Sequence, residues 1–133
     1  MSSLEKQVGG NHYKRFKIQP IELIVLNNLN FLEGNVVKYV CRHRFKDGLK
    51  DLKKAKHYIE MLIDFKDKFG KELPFLKFVL ANEIPYSEGK IIDSILKYSK
   101  SGYIKELGIA LDFIDYLIED YKIVEKYKCS ENS

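Results

Sequence analysis

The chain repeats itself at a fixed offset, and this constrains its fold more than any other feature. Glu33-Gly34 returns as Glu88-Gly89, an interval of 88 − 33 = 55 positions. The same interval carries Asn27 to Asn82, Val37 to Ile92, Val40 to Ile95, Leu52 to Leu107, Ala55 to Ala110, Ile59 to Ile114, Leu62 to Leu117 and Ile63 to Ile118. A register held at so many apolar positions is the signature of a duplicated structural unit. With 133 residues there is room for two small units and none for a large multidomain enzyme.

The pattern inside the unit is helical. Pro20 heads the apolar cluster Ile21, Leu23, Ile24, Val25 and Leu26, which predicts a short buried helix opened by proline, although its β-branched residues leave a strand open. From Glu33 to about Phe45, Val36, Val37, Val40 and Cys41 recur at helical spacing and leave Asn35, Lys38 and Arg42 on another face. Lys46-Asp47-Gly48 reads as a turn, after which Leu49, Leu52, Ala55, Ile59, Leu62, Ile63 and Lys66 trace the stripe of a long helix that Gly70 would end. Two helices joined by so short a turn pack as a hairpin. Gly102 lies 54 rather than 55 positions after Gly48, a one-residue slip that a turn tolerates. The expected fold is all-α: two tandem, degenerate helix-hairpin repeats packed as a small bundle. A basic arm occupies residues 1–19, the first repeat 20–70 and the second 71–133.

Hydrophobic residues at 45%, charged residues at 32% and only 3 prolines suit a chain that buries a core and argue against disorder. The two cysteines, Cys41 and Cys129, form no CxxC pair, which argues against a disulfide framework or a zinc site. No apolar run approaches a bilayer span and the first residues carry no apolar leader core, so a soluble, intracellular protein without membrane contact is expected.

The net charge is +4, and it is unevenly divided. Residues 1–70 hold 14 Lys and Arg against 8 Asp and Glu, whereas residues 71–133 hold 9 against 11. The first repeat is therefore the half suited to anions. Polar positions drift between the copies while the apolar frame stays: Lys38 becomes Asp93, Arg44 becomes Ser99, Lys54 becomes Ile109 and Tyr58 becomes Phe113, with Arg42 to Lys97 and Asp51 to Glu106 keeping their sign.

Lys38 and Arg42 stand one turn apart, with Asn35 a turn earlier. Two cations so placed repel unless an anion lies between them, and a guanidinium grips phosphate oxygens with a forked pair of hydrogen bonds. A solvated basic face, or pairing with Glu33 or Asp51, is the plainer alternative. Asp51, Lys54 and Tyr58 share a face of the third helix, so the hairpin would gather cations for phosphates, Tyr58 for stacking, and Asp51 to orient a lysine or hold a metal ion; a salt-bridged exposed surface is the alternative. The arm residues His12, Tyr13 and Lys14 mix aromatic and cationic groups as nucleotide-contacting segments do, and equally suit a basic tail. Neither HExxH nor GxxxxGK[ST] occurs, which excludes a zinc-hydrolase motif and a Walker-type P-loop. Glu22, Glu33 and Asp51 form no ligand cluster in sequence, and Glu33 suits a helix N-terminus.

Gly10-Asn11-His12-Tyr13, Ile18-Gln19-Pro20-Ile21-Glu22, the run from Glu33-Gly34-Asn35 through Lys38-Tyr39 to Arg42, and Lys46-Asp47-Gly48 through Asp51 to Lys54-Ala55 and Tyr58 occur in an order that resembles the small bacteriophage family called domain of unknown function 3310. The resemblance covers about residues 8–65. It implies a phage protein, acting in the cytoplasm of an infected bacterium, whose family includes an oligomeric, P-loop-less kinase of deoxynucleoside monophosphates. Magnesium would accompany its nucleotide. The motif positions are His12, Tyr13, Lys14, Gln19, Glu22, Glu33, Asn35, Lys38, Tyr39, Arg42, Lys46, Asp51, Lys54 and Tyr58. Of these, His12, Tyr13, Lys14, Asn35, Lys38, Tyr39, Arg42, Lys46, Asp51, Lys54 and Tyr58 are the candidate phosphate and nucleotide contacts.

Three functions follow as expectations: a nucleotide-binding, kinase-like protein; a non-catalytic sponge that sequesters a signalling nucleotide of host defence; and, less favoured by so modest a net charge, a nucleic-acid binder. A homo-oligomer is expected because single hairpins are thin and amphipathic.

Overall fold

The structure, a computed structural model, describes residues 3–6 and 16–131. The described residues are all-helical outside turns, in six helices: α1 (Pro20–Leu26), α2 (Phe31–Arg42), α3 (Leu49–Phe65), α4 (Phe75–Ala81), α5 (Tyr86–Ser101) and α6 (Ile104–Glu131). They divide into two compact units, Met1–Lys71 and Glu72–Ser133. In the first, α2 packs along α3 and α1 lies on α2; in the second, α5 packs along α6. The second-unit helices α4, α5 and α6 start 55 positions after α1, α2 and α3 respectively.

Local chemistry sets the boundaries. Pro20 stands at the first turn of α1, and the Gln19 N–H donates to the Glu22 carboxylate at 2.8 Å. Gln19 also donates from its side chain to the Leu4 carbonyl at 2.7 Å, which ties down residues 3–6. At α2 the Asn30 side chain accepts from the Glu33 N–H at 2.9 Å while Glu33 accepts from the Asn30 N–H at 3.0 Å. This reciprocal cap satisfies two otherwise orphaned donors and contributes about 1 kcal/mol. It also starts α2 at Phe31, two residues before the periodicity does. Gly48 turns the chain into α3 with φ 49° and ψ −120°, a conformation that only glycine adopts without strain.

The core is thin. Among the described residues, Leu32 and Ala55 are the buried hydrophobic residues of the first unit and Ala110 that of the second, and Gly34 lets α2 approach α1 so closely that a Cβ there would meet Ile24 Cγ2 at 3.2 Å. The short buried helix expected after Pro20 exists, but only Pro20 in it is buried, and Val25 and Leu26 are exposed. A seven-residue helix lying chiefly on α2 has one face covered, so its all-round apolar composition cannot all be buried.

Candidate functional site: a lysine-edged aromatic groove

The α2–α3 hairpin of the first unit is pinned at its turn by a charged network. Arg42, in the last turn of α2, donates from Nε to both oxygens of Asp51 at 3.1 Å and from a terminal nitrogen to Asp47 at 3.0 Å. The Asp47 N–H completes the cradle, donating to Asp51 at 3.1 Å. Asp51 is fully buried. Burial pushes its carboxyl up. The hydrogen bonds from Arg42 and Asp47, with the charges of Arg42 and Lys54, outweigh this and hold it below its ordinary value. The carboxylate therefore stays ionised, locking α3 to the end of α2. Of the two readings open for Arg42, the structure displays the pairing with Asp51.

Beside this pair lies an aromatic cluster. Tyr39 stacks on Tyr58 with ring centres 5.9 Å apart and planes 12° from parallel, and Phe31 meets Tyr58 edge-on at 6.0 Å. Three cations surround the Tyr39 ring: Lys38 Nζ at 4.9 Å, the Arg42 guanidinium at 5.0 Å and Lys54 Nζ at 5.2 Å from its centre. Lys38 and Lys54 meet no carboxylate within ion-pair distance among the described residues. Their charge is therefore available to an anion.

The cluster floors an open groove of about 630 Å³. Phe31, Tyr39, Tyr58 and Met61 line it, with Lys50, Lys53, Lys54 and His57 along the α3 side. A second, apolar hollow of about 320 Å³ shares Phe31 and Met61 and runs on to Phe65 and Phe69. Lys38 also borders a cleft of about 170 Å³ formed with Gln19, Pro20, Ile21 and Ile24.

The sequence-derived candidates fall into four groups. Tyr39, Lys54 and Tyr58 line the groove, while Lys38 stands over the Tyr39 ring and borders the separate cleft at α1. Arg42 touches the Tyr39 ring but spends its hydrogen bonds on Asp51 and Asp47, and Asp51 is sealed beneath it. Asn35 donates to the Phe31 carbonyl at 2.8 Å and Lys46 is exposed on the turn; neither lines the groove. His12, Tyr13 and Lys14 lie outside the described residues. Lys50, Lys53, His57, Met61 and Phe31 belong to the groove without having been singled out. On α3 the signal was present, since positions 50, 53, 54, 57, 58 and 61 trace one helical face; Phe31 precedes the periodic run and carried none.

Glu22 and Glu33 serve the helix caps, and among the described residues no three His, Cys, Asp or Glu side chains stand together as a metal site would need. At Cys41 burial pushes the thiol up against a smaller pull from Arg44, so at neutral pH it is a thiol and a poor nucleophile.

The groove lies in a recognisable segment. Residues 8–60 match the DUF3310 family. That family is described as a protein of unknown function, and its DUF3310 model spans nearly the residues on which the motif resemblance rests. The match takes in α1, α2 and the part of α3 that carries the lysines, and no helix of the second unit. No curated protein and no solved structure matches the chain.

The corresponding face of the second unit has lost most of its positive charge: Gly108 and Ile109 stand for Lys53 and Lys54, while Lys105 keeps the charge of Lys50. Tyr86 and Phe113 keep the edge-on pair of Phe31 and Tyr58, at 6.3 Å. Tyr39 is replaced by the buried Ser94, and the counterpart of Lys38, Asp93, accepts Lys97 at 2.9 Å on the same helix. The hydrogen bond and charge of Asp93 hold the Lys97 ammonium above its ordinary value. Its charge is matched within the protein.

Proposed function

We propose that the first unit binds a phosphorylated nucleotide in the α2–α3 groove, with the base against Phe31, Tyr39 and Tyr58 and the phosphates along Lys50, Lys53 and Lys54. One observation carries this reading: a stacked tyrosine pair edged by lysines that meet no carboxylate, open to solvent. Aromatic faces accept any base, while flanking ammonium groups attract phosphate. Arg42 supports the site from behind by holding α3 and backing the Tyr39 ring.

The bacteriophage kinase resemblance extends the reading to phosphoryl transfer between a nucleoside triphosphate and a monophosphate. That chemistry rests on positioning and charge stabilisation, for which lysines are of the right type. A second reading, retention of an intact signalling nucleotide, is favoured by the groove lining itself. Among the described residues that lining holds no carboxylate.

Purified protein incubated with mono-, tri- and cyclic nucleotides plus magnesium, then separated and identified by mass spectrometry, tests both. New phosphorylated products establish the kinase reading, and a nucleotide retained unchanged establishes retention. No bound nucleotide of any class overturns the proposal. Binding to oligonucleotides alone, weakening steeply with salt, would instead make the groove part of a nucleic-acid surface.

A further inference from the structure

The α2–α3 groove continues past its tyrosine pair. Across Phe31 and Met61 it opens into the apolar hollow of about 320 Å³ that Leu32, Phe65, Lys68 and Phe69 complete. Because Phe31 and Met61 border both spaces, a ligand can run from one into the other without leaving the surface. Lys54, Tyr58, Met61 and Phe65 stand at i, i+4, i+7 and i+11 on one face of α3, and Lys68 follows in the turn after it. From Tyr58 to Phe65 is 65 − 58 = 7 residues, about 10 Å of helix.

Packing of the hairpin does not call for aromatic rings at this far end. Phe31 is 73% exposed and Phe69 49%. At the 55-residue offset, where the core positions keep their apolar type, Phe65 becomes Asp120, Lys68 becomes Ile123 and Phe69 becomes Val124. Exposed ring faces next to a nucleotide groove suit a second base, since stacking on an aromatic side chain accepts any base. The Lys68 ammonium lies 5.4 Å from the Phe65 ring centre and meets no carboxylate within ion-pair distance among the described residues, so it can donate to the carbonyls and ring nitrogens of a base edge.

The order of charges along the groove decides how the two bases are joined. Lys50, Lys53 and Lys54 gather at the end away from Phe65, and residues 59–64 contain no lysine or arginine. A cyclic dinucleotide or a dinucleoside polyphosphate carries all its phosphates between its bases, where this surface offers Met61. A linear dinucleotide with a 5′-phosphate instead carries its most highly charged group, of about two charges, at one end and only a single-charge diester between the bases. We propose that groove and hollow together take such a linear, 5′-phosphorylated dinucleotide, free or as the first two nucleotides of a single strand. The terminal phosphate meets the three lysines, the first base the tyrosine pair, and the second base Phe65 and Phe69 beside Lys68. The inference rests on the nucleotide reading of the groove and narrows it to a ligand class.

Calorimetry with the full chain compares each deoxynucleoside 5′-monophosphate with the 5′-phosphorylated dinucleotide of the same base. The dinucleotide is expected to bind at least about tenfold more tightly, the gain from one further stacked base, and to lose at least about tenfold when its 5′-phosphate is removed. Phe65→Ala with Phe69→Ala is expected to abolish the gain and to keep monophosphate affinity within about twofold, because neither residue lines the groove at the tyrosine pair. Should that variant lose its helical circular dichroism signal, the exposed Lys68→Glu provides the second test, with dinucleotide binding alone expected to weaken at least about threefold. A longer 5′-phosphorylated strand bound as tightly as the dinucleotide supports the inference and assigns the site to strand ends; a strand bound less tightly supports it for the free dinucleotide. A monophosphate that binds as tightly as the dinucleotide overturns the inference and leaves the nucleotide reading standing. If neither binds for any base the inference falls, and the reading beneath it falls as well only when tri- and cyclic nucleotides also fail to bind. Tighter binding of a cyclic dinucleotide or a dinucleoside polyphosphate overturns it, as does affinity that grows with strand length irrespective of the 5′-phosphate.

Discussion

At the scale of single residues, the Arg42–Asp51 pair decides most. A carboxylate with no solvent exposure depends on the guanidinium that meets it. Arg42→Ala leaves that charge unpaired and is expected to cost about 3 kcal/mol in denaturant unfolding, whereas pairing read from sequence spacing alone could equally have been a surface matter. The same pair gives the stability a defined pH dependence. Because the folded-state pKa of Asp51 is depressed, its contribution is complete above the unfolded value of about 4 and is lost as pH falls through the lower folded value. An acid titration followed by circular dichroism is expected to show this loss, and Asp51→Asn to remove that component. Asn28 and Glu83, 55 positions apart, both adopt positive φ, 52° and 51°. Asparagine tolerates that region; glutamate is strained there. Glu83→Gly is expected to raise the unfolding free energy by about 1 kcal/mol, read as a higher melting temperature.

At the scale of elements, the α2–α3 hairpin carries the candidate site and its turn is held by backbone geometry. Gly48→Ala forces a side chain into φ 49°, ψ −120° and is expected to cost about 1–3 kcal/mol, measurable by thermal melting. On the α3 face the expectation is the reverse. Lys50→Ala with Lys53→Ala is expected to lower nucleotide affinity at least about tenfold by calorimetry and to leave the melting temperature within a degree or two of wild type, since both are exposed and neither ammonium meets a carboxylate among the described residues. Helical periodicity made α2 and α3 legible because an apolar stripe must face its partner. The start of α2 was less so, because the Asn30–Glu33 cap extends the helix beyond the apolar run.

At the scale of the whole chain, charge and apolar surface are divided between the units. The lysine-edged aromatic groove belongs to the first unit; in the second, Lys97 is matched by Asp93 and the long α6 displays apolar flanks. Calorimetry is accordingly expected to find one nucleotide per chain, and two would show that the second unit kept a site. By itself the sequence determined the all-α class, the 55-residue register, the turn at Gly48 and the cationic bias of the first half, because periodicity, turn chemistry and net charge are sums over local residue types. Only the tertiary structure decided which cations face solvent. Lys38, Arg42 and Lys54 look alike as letters, yet the fold buries an acid under Arg42 and leaves the two lysines beside a tyrosine stack. That distinction depends on side chains nine or more positions apart meeting across a hairpin, and on the desolvation that makes a buried carboxylate hold its partner.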